Sequence, residues 1–146
     1  MIRPVRSTDR DEWLRMRAGL WPDESPIELG ETIDAYFAGR KSLLTIVFVS
    51  DEGSERLSGF LELYVREYAE GCAGETPYVE GWFVVEQERG KGIGKQLMRA
   101  AEEWSRDNGF AELASDALID NIDSHRAHSA LGFEEVERTV HFRKTL

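Results

Sequence analysis

The spacing of apolar residues divides the chain into short helical and extended segments. Apolar side chains recur at three- and four-residue intervals over residues 9–20, 27–37, 95–108 and 123–131, which predicts four helices. Runs rich in β-branched and other apolar residues predict strands over 2–5, 43–50, 56–65, 78–85 and 111–114, with closing strands over 133–137 and 139–142. This order predicts an α+β fold, with a mixed, mostly antiparallel central sheet and helices on both faces.

Length and charge limit the functional classes. A chain of 146 residues without linker or repeat predicts a single domain over residues 1–146. The formal net charge is −10, and basic clusters are no larger than Arg143 with Lys144, so we expect no nucleic-acid partner. No apolar run reaches the roughly 18 residues of a membrane span, so we expect no membrane partner. The acidity serves either solubility or the attraction of a cationic substrate.

Cysteine content and the first residues bear on location. The first residues lack the apolar core of a signal peptide, and we expect a cytoplasmic protein. The single cysteine, Cys72, excludes an internal disulfide and a cysteine-based metal cluster. We therefore expect no metal.

Three glycines, Gly90, Gly92 and Gly94, lie within five residues between a predicted strand and a predicted helix. Free N–H groups and the dipole at the start of a helix bind phosphate well. The segment does not match a Rossmann fingerprint or a Walker loop. It is either a tight helix cap or a phosphate-binding loop.

Two motifs favour the second interpretation. Arg89, Gly92 and Gly94 match the pattern [RQ]-x-x-G-x-[GA], which resembles the acetyl-CoA loop of the GNAT superfamily of N-acetyltransferases. Asn121, followed by a predicted helix ending at 130–133 (Ala-Leu-Gly-Phe), resembles the superfamily segment that flanks the pantetheine arm. The resemblance implies a GNAT fold and acetyl-CoA as co-substrate.

The segments 20–22, 78–81, 114–116 and 132–138 narrow the resemblance. They are similar to those of short, chromosomally encoded aminoglycoside 6′-N-acetyltransferases. This implies a homodimer that transfers acetyl to the 6′-amino group of a cationic aminoglycoside by direct attack in a ternary complex. An acetyltransferase for another polyamine or a peptide amine remains an alternative, as does a non-catalytic acyl-CoA sensor.

The resemblance also implies the cofactor-binding residues. These are Trp82, Val84, Val85, Arg89, Gly90, Lys91, Gly92, Ile93, Gly94, Lys95 and Asn121. A bulge near Val84 and Val85 would splay their N–H groups, which would then polarise the thioester oxygen.

Glu80 is the candidate base. It lies inside an apolar strand, where a carboxylate is costly without a partner or a purpose. Regular alternation places Glu80, Trp82 and Val84 on one face. The superfamily resemblance implies that Glu80 takes a proton from the substrate amine, directly or through water. The alternative is an edge-strand charge that faces solvent.

Substrate contacts are implied for Trp21, Tyr68, Glu80, Asp116 and Glu137. Asp116 follows a predicted strand and would hold a ring ammonium, although aspartate is also common in turns. Glu137 would reach the substrate across the dimer, or it belongs to a solvated acidic run. Trp21 and Tyr68 would line the pocket, or they serve ordinary packing.

His128 stands where many superfamily members carry the tyrosine that protonates the departing thiolate. A histidine is able to donate that proton, or it is simply a hydrogen-bonded helix residue. Cys72 has no histidine near it in sequence, so an acyl-cysteine intermediate is disfavoured.

Overall fold

A five-stranded sheet forms the centre of the computed structural model, which describes residues 1–40 and 44–146. Its strands are Ile2–Pro4 (β1), Ile46–Ser50 (β2), Gly59–Arg66 (β3), Thr76–Val84 (β4) and Ala114–Ser115 (β5). They lie in the order β1-β2-β3-β4-β5. The β4–β5 pairing is parallel and the others are antiparallel. The predicted mixed, mostly antiparallel sheet is confirmed.

Helices cover both faces of this sheet, as predicted. They are Arg10–Leu20 (α1), Pro26–Phe37 (α2), Ile93–Asp107 (α3) and Ile122–Ala130 (α4), with short 3-10 turns at Ser7–Asp9 and Glu86–Glu88. The helices α1 and α2 pack on one side, hereafter the α1 face, and α3 packs on the other, the α3 face. Each helix in the described ranges is too short or too polar to cross a membrane.

Strand β2 illustrates how alternation builds the two cores. Val47 and Val49 are fully buried against α1 and α2, while Phe48 between them lies in the cluster beneath α3. Successive side chains of a strand point to opposite faces, so one apolar run supplies both cores. A strand that is buried on both sides therefore has apolar residues throughout.

Glu62 on β3 is a carboxylate in the α1-face core. Its side chain is wholly buried. Trp13 Nε1 and Arg17 Nε each donate a hydrogen bond to its Oε1 at 2.8 Å. Arg17 Nη1 also donates to the Leu29 carbonyl oxygen at 2.9 Å. Burial raises the pKa of Glu62, and the Arg17 guanidinium opposes this shift. This network joins β3 to α1, and α1 to α2.

Several predicted boundaries differ from those observed. The strand predicted over 43–50 spans Ile46–Ser50, and Leu43 lies outside the described residues. The helix predicted from residue 95 begins at Ile93. The strand predicted over 111–114 is only Ala114–Ser115, since β5 meets β4 at two residues alone.

The two predicted closing strands are wrong. Residues 133–146 form no helix or strand in the described chain. Val136, Val140 and Phe142 are 61%, 72% and 93% exposed. A strand is stabilised by hydrogen bonds and side-chain pairs from a neighbour, and among residues 1–40 and 44–146 no strand lies beside the tail.

We expect Arg17→Met to destabilise the fold by about 3–5 kcal/mol, because it leaves the buried Glu62 carboxylate without its counter-charge. Urea unfolding measures this loss. The double variant Arg17→Met/Glu62→Gln should recover much of it. Arg10→Met on the same helix breaks a more exposed pair with Asp34 and should barely move the unfolding midpoint. Equal losses of unfolding free energy for Arg17→Met and Arg10→Met would contradict the role of Arg17 as the counter-charge of buried Glu62.

Candidate active site

Strands β4 and β5 run side by side for two residues and then part. Tyr78 pairs with Ala114, and Val79 pairs with Ser115. In the described chain, β4 continues to Val84 with no strand on that side. Helix α4 follows β5, and its His128 ring lies edge-on to Trp82 of β4 at 5.4 Å between centroids. The ladder between β4 and β5 therefore opens after Val79, and α4 borders this opening.

A β-bulge interrupts β4 at Glu80. Glu62 and Leu63 on β3 are adjacent, but their partners are Gly81 and Val79. Glu80 is therefore the extra residue, and the bulge shifts the alternation of side chains along β4. This explains why Val79 and Trp82, three residues apart, both lie on the α3 face.

The bulge corrects one prediction about Glu80. Trp82 and Val84 pack against the α3 face. The Glu80 carboxylate instead accepts two hydrogen bonds from Arg66, at 2.8 Å from Nε and 2.9 Å from Nη2. Glu80 thus does not share a face with Trp82 and Val84, because regular alternation fails at the bulge.

The bulge predicted near Val84 and Val85 is not at that position. The bulge lies at Glu80, while Val84 keeps its regular pairing with Gly59. The Val85 N–H donates to the Ser58 carbonyl oxygen at 2.9 Å. This group is already satisfied and is not available to polarise a thioester.

Asp116 lies at the exposed end of β5, where Tyr78 donates a hydrogen bond to its Oδ2 at 2.8 Å. Burial, and then this bond, raise the pKa of Tyr78, so the hydroxyl stays protonated and remains a donor. The Arg66 guanidinium carbon lies 3.5 Å from the centre of the Tyr78 ring. The structure thereby links Glu80 and Asp116 through Arg66 and Tyr78.

Trp21 borders the same site. A Cβ placed on Gly81 would lie 2.9 Å from Trp21 Cη2, so the indole rests directly on the backbone next to Glu80. The Arg17 guanidinium carbon lies 4.9 Å from the Trp21 ring centre. Trp21 is therefore held in place by the buried network around Glu62.

Tyr68 and Glu137 are not brought into contact with these groups. Tyr68 is 68% exposed, and Glu137 lies in the exposed tail. The tail does pass over the β3–β4 connection, since a Cβ on Gly71 would lie 2.8 Å from Val136 Cβ. Glu137 therefore follows a residue that lies against the connection containing Tyr68.

His128 is held by hydrogen bonds at both ring nitrogens. Nδ1 lies 2.7 Å from the Ser124 carbonyl oxygen, and Nε2 lies 2.7 Å from Ser115 Oγ. A carbonyl only accepts, so Nδ1 carries a proton, and in the neutral ring Nε2 accepts from Ser115. Trp82 and Phe133 pack edge-on against the imidazole. Its orientation is fixed inside the opening between β4 and α4.

The glycine loop leads into α3. Gly90 and Gly92 have φ of 77° and 86°, in the left-handed region that favours glycine. The first helical hydrogen bond runs from the Gln96 N–H to the Gly92 carbonyl, so the N–H groups of the first turn precede the hydrogen-bond ladder. Trp82 Nε1 donates to the Gly94 carbonyl at 3.1 Å, which joins the start of α3 to β4.

Basic side chains surround this loop, but two of them are engaged. Arg89 Nε donates to the Val84 carbonyl at 3.0 Å, and Lys91 pairs with Glu88 at 2.9 Å. Lys95 is exposed. The Asn121 Oδ1 accepts a hydrogen bond from the Ser124 N–H at 3.2 Å and so caps α4.

Cys72 does not suit nucleophilic chemistry. Burial, followed by the nearby Glu112, raises the pKa of its thiol, which disfavours the reactive thiolate. Within the described ranges, no three His, Cys, Asp or Glu side chains group together as metal ligands.

Sequence reasoning missed three residues of this site: Arg66, Tyr78 and Ser115. Tyr78 lies on β4 two residues before Glu80, whereas Arg66 ends β3 opposite Thr76, four residues from Glu80, so regular strand pairing did not indicate the Arg66–Glu80 contact. Ser115 directly follows the strand predicted over 111–114, opposite Val79. Its contact with His128 depends on how β5 meets α4, which no periodicity indicates.

Residues 8–133 match the acetyltransferase (GNAT) family. The chain is a GNAT acetyltransferase. Members of this family use acetyl-CoA, which agrees with a glycine loop at the start of α3 and an opening beside β4.

Relatives of this GNAT chain match over its whole length. The aminoglycoside N(6′)-acetyltransferase type 1 of Klebsiella aerogenes is 40% identical, covering 100% of this chain and 97% of the relative. Aminoglycoside antibiotic 6′-N-acetyltransferase AAC(6′)-IG from Acinetobacter haemolyticus has a TM-score of 0.87 at 29% identity, covering 100% and 99%. AAC(6′)-Iy, solved with the bisubstrate analogue CoA-S-monomethyl-acetylneamine, has a TM-score of 0.83 at 32% identity, covering 100% and 98%.

We expect Gly92→Ala to weaken acetyl-CoA binding about tenfold, because its φ of 86° costs an alanine roughly 1–2 kcal/mol and the loop would shift to relieve it. Calorimetric titration with acetyl-CoA measures this. Gly109→Ala is the matched control, since Gly109 has φ of 85° and equally open surroundings at the other end of α3. Similar acetyl-CoA affinities for both variants would refute a role for the loop backbone.

Proposed function

We propose that this protein transfers acetyl from acetyl-CoA to the 6′-amino group of aminoglycoside antibiotics. The observation that carries the proposal is the acidic, aromatic site at the parting of β4 and β5. Glu80 and Asp116 flank the Tyr78 ring there, with Trp21 beside them. Carboxylates and aromatic faces both attract ammonium groups. Relatives named aminoglycoside 6′-N-acetyltransferases match over the whole chain.

Acetyl-CoA would lie along the open edge of β4. In this proposal the N–H groups of residues 90–95 hold the pyrophosphate at the start of α3, where the helix dipole favours negative charge. Arg89, Lys91 and Lys95 add positive charge around it. The pantetheine arm would run along the edge of β4 that β5 leaves unpaired beyond Val79, towards Asn121, whose side-chain amide nitrogen is not used in capping α4.

The reaction would be direct attack in a ternary complex. The neutral 6′-amine attacks the thioester carbonyl carbon, a C–N bond forms, and the C–S bond breaks to release the CoA thiolate. Glu80 would accept the amine proton through water, since a protonated amine has no lone pair for attack. His128 would take up at Nε2 the proton that the nitrogen loses as the C–N bond forms and return it to the thiolate, because its Nδ1 proton is committed to Ser124.

We further propose a cytoplasmic homodimer. Acetyl-CoA is supplied in the cytoplasm, which places the reaction there. The exposed apolar tail residues Val136, Val140 and Phe142 provide surface for a second copy, and Glu137 beside them would then reach a substrate. Sedimentation at micromolar concentration should give twice the chain mass of 16.6 kDa. A species of the single-chain mass would exclude the dimer.

The proposed function predicts thiol release from acetyl-CoA with tobramycin as acceptor and none with a 6′-hydroxy aminoglycoside, which lacks the nucleophile. Release is followed with a thiol reagent. Spermidine and a lysine-containing peptide test the alternative of another polyamine or peptide amine. Acetyl-CoA binding without turnover of any amine would refute the enzyme assignment and favour an acyl-CoA sensor.

We expect Glu80→Gln and His128→Gln each to lower kcat about 10²-fold, since each removes one proton-transfer group. Steady-state kinetics with tobramycin measure both. Glu103→Gln on the exposed side of α3 and His125→Gln on α4 are controls of matched chemistry and should retain wild-type kcat. Full turnover by Glu80→Gln would eliminate Glu80 as the base.

A further inference from the structure

Arg66 occupies the centre of the acidic site. Its guanidinium makes a two-point contact with Glu80, at 2.8 and 2.9 Å, and its carbon lies 3.5 Å from the centre of the Tyr78 ring. The Tyr78 hydroxyl is fixed by Asp116. A planar cation lying on an aromatic face and paired with a carboxylate satisfies both attractions of the site at once.

A substrate ammonium would require these same groups. The proposed pocket offers an ammonium the Glu80 carboxylate, the Tyr78 ring and the nearby Asp116 carboxylate. Arg66 already uses the first two. The chain therefore carries, within its own pocket, a cation of the kind that the pocket is proposed to bind.

We propose that Arg66 is an internal counter-cation of the substrate pocket, which holds the place of a substrate ammonium at Glu80 and is displaced when substrate binds. This inference rests on the proposed function for the identity of the site. It assigns Arg66 a role in setting substrate affinity, distinct from the proton transfer assigned to Glu80.

A comparison with the pair formed by Arg17 of α1 and Glu62 of β3 supports the displacement of Arg66 by a substrate ammonium. The Arg17 and Glu62 side chains are 8% and 1% exposed, so that pair is closed to solvent. The Arg66 and Glu80 side chains are 36% and 25% exposed. An ion pair that is partly open to water contributes less net free energy than a buried pair, because water solvates both partners when it opens. Arg66 is therefore able to leave Glu80 for solvent, whereas Arg17 is not able to leave Glu62.

The surrounding charges explain why a counter-cation is needed. Glu62, Glu80 and Asp116 all lie on or beside this part of the sheet, and Arg17 is committed to Glu62. Without Arg66, the Glu80 carboxylate would lose its paired cation and keep the repulsion of the nearby carboxylates. Arg66 relieves this repulsion in the empty pocket, and a polycationic substrate relieves it in the occupied one.

Calorimetric titration with tobramycin, in the presence of CoA, tests the inference. Arg66→Gln should bind tobramycin about tenfold more tightly, because the ligand no longer competes with an internal cation. Arg66→Ala should show the same gain, and Arg66→Lys, which keeps the charge, should stay near the wild-type Kd. Arg99→Gln on the exposed side of α3 is the control for the loss of one positive charge elsewhere.

Repeating the titration in the Glu80→Gln protein tests whether the gain in tobramycin affinity depends on Glu80. In the Glu80→Gln protein, Arg66→Gln should bring no gain in tobramycin affinity, because the carboxylate for which the two cations compete is gone. Weaker or unchanged binding by Arg66→Gln and Arg66→Ala would overturn the inference and make Arg66 a support for Glu80. If Arg66→Gln raised tobramycin affinity equally in the Glu80→Gln protein, the inference would be overturned as well.

Parallel assays of acetyl transfer separate this inference from the proposed function. Tighter tobramycin binding by Arg66→Gln without transfer by any variant supports the counter-cation and refutes the enzyme assignment. Normal acetyl transfer by the wild-type protein, with no gain in tobramycin affinity for Arg66→Gln, supports the enzyme assignment and refutes the counter-cation. If neither tobramycin nor spermidine binds to any variant, the inference fails together with the aminoglycoside assignment.

Discussion

The buried carboxylate of Glu62 constrains the arrangement of the α1 face. Removing a charge from water is costly, and its cost is met only if partners surround it in fixed geometry. Trp13 and Arg17 supply those partners from successive turns of α1, and Arg17 extends the contact to the Leu29 carbonyl of α2. The two helices are thereby positioned on the central strand. Trp21, which Arg17 also contacts, takes its place beside the site as a consequence.

The candidate site lies where the regular pairing of β4 with its neighbouring strands ends. Val79 is the last residue of β4 that pairs with its neighbour β5, and Glu80, the extra residue of the bulge, follows it directly. Bulges re-aim side chains and are frequent beside active sites. A regular five-stranded ladder would have turned Glu80 away from Arg66 or closed the edge along which acetyl-CoA is proposed to lie.

Much of the architecture followed from sequence because it depends on local pattern. Apolar periodicity identified four helices and the first four strands, and the glycine loop predicted the start of α3 to within two residues. Patterns that depend on a partner were less informative. The tail alternates as a strand would, yet residues 133–142 pair with no strand in the described part of the chain.

The argument from burial that singled out Glu80 applies more strongly to a second carboxylate, Glu62. A carboxylate inside an apolar strand requires a partner or a purpose. Glu62 in the preceding strand meets that description more fully, since it is wholly buried whereas the Glu80 side chain is 25% exposed. Sequence alone does not reveal which of the two is sealed in the core, because the difference depends on how α1 covers β3.

The bulge has a consequence for how such a site changes over evolutionary time. Glu80 faces Arg66 because it is the one extra residue of β4 at the bulge, and the number of residues in a strand changes only by insertion or deletion. Point substitutions leave that number intact, so a different side chain at this position would keep the same direction. A single-codon deletion between Val79 and Trp82 would do the reverse: it would restore an unbroken ladder and remove the site's geometry in one step.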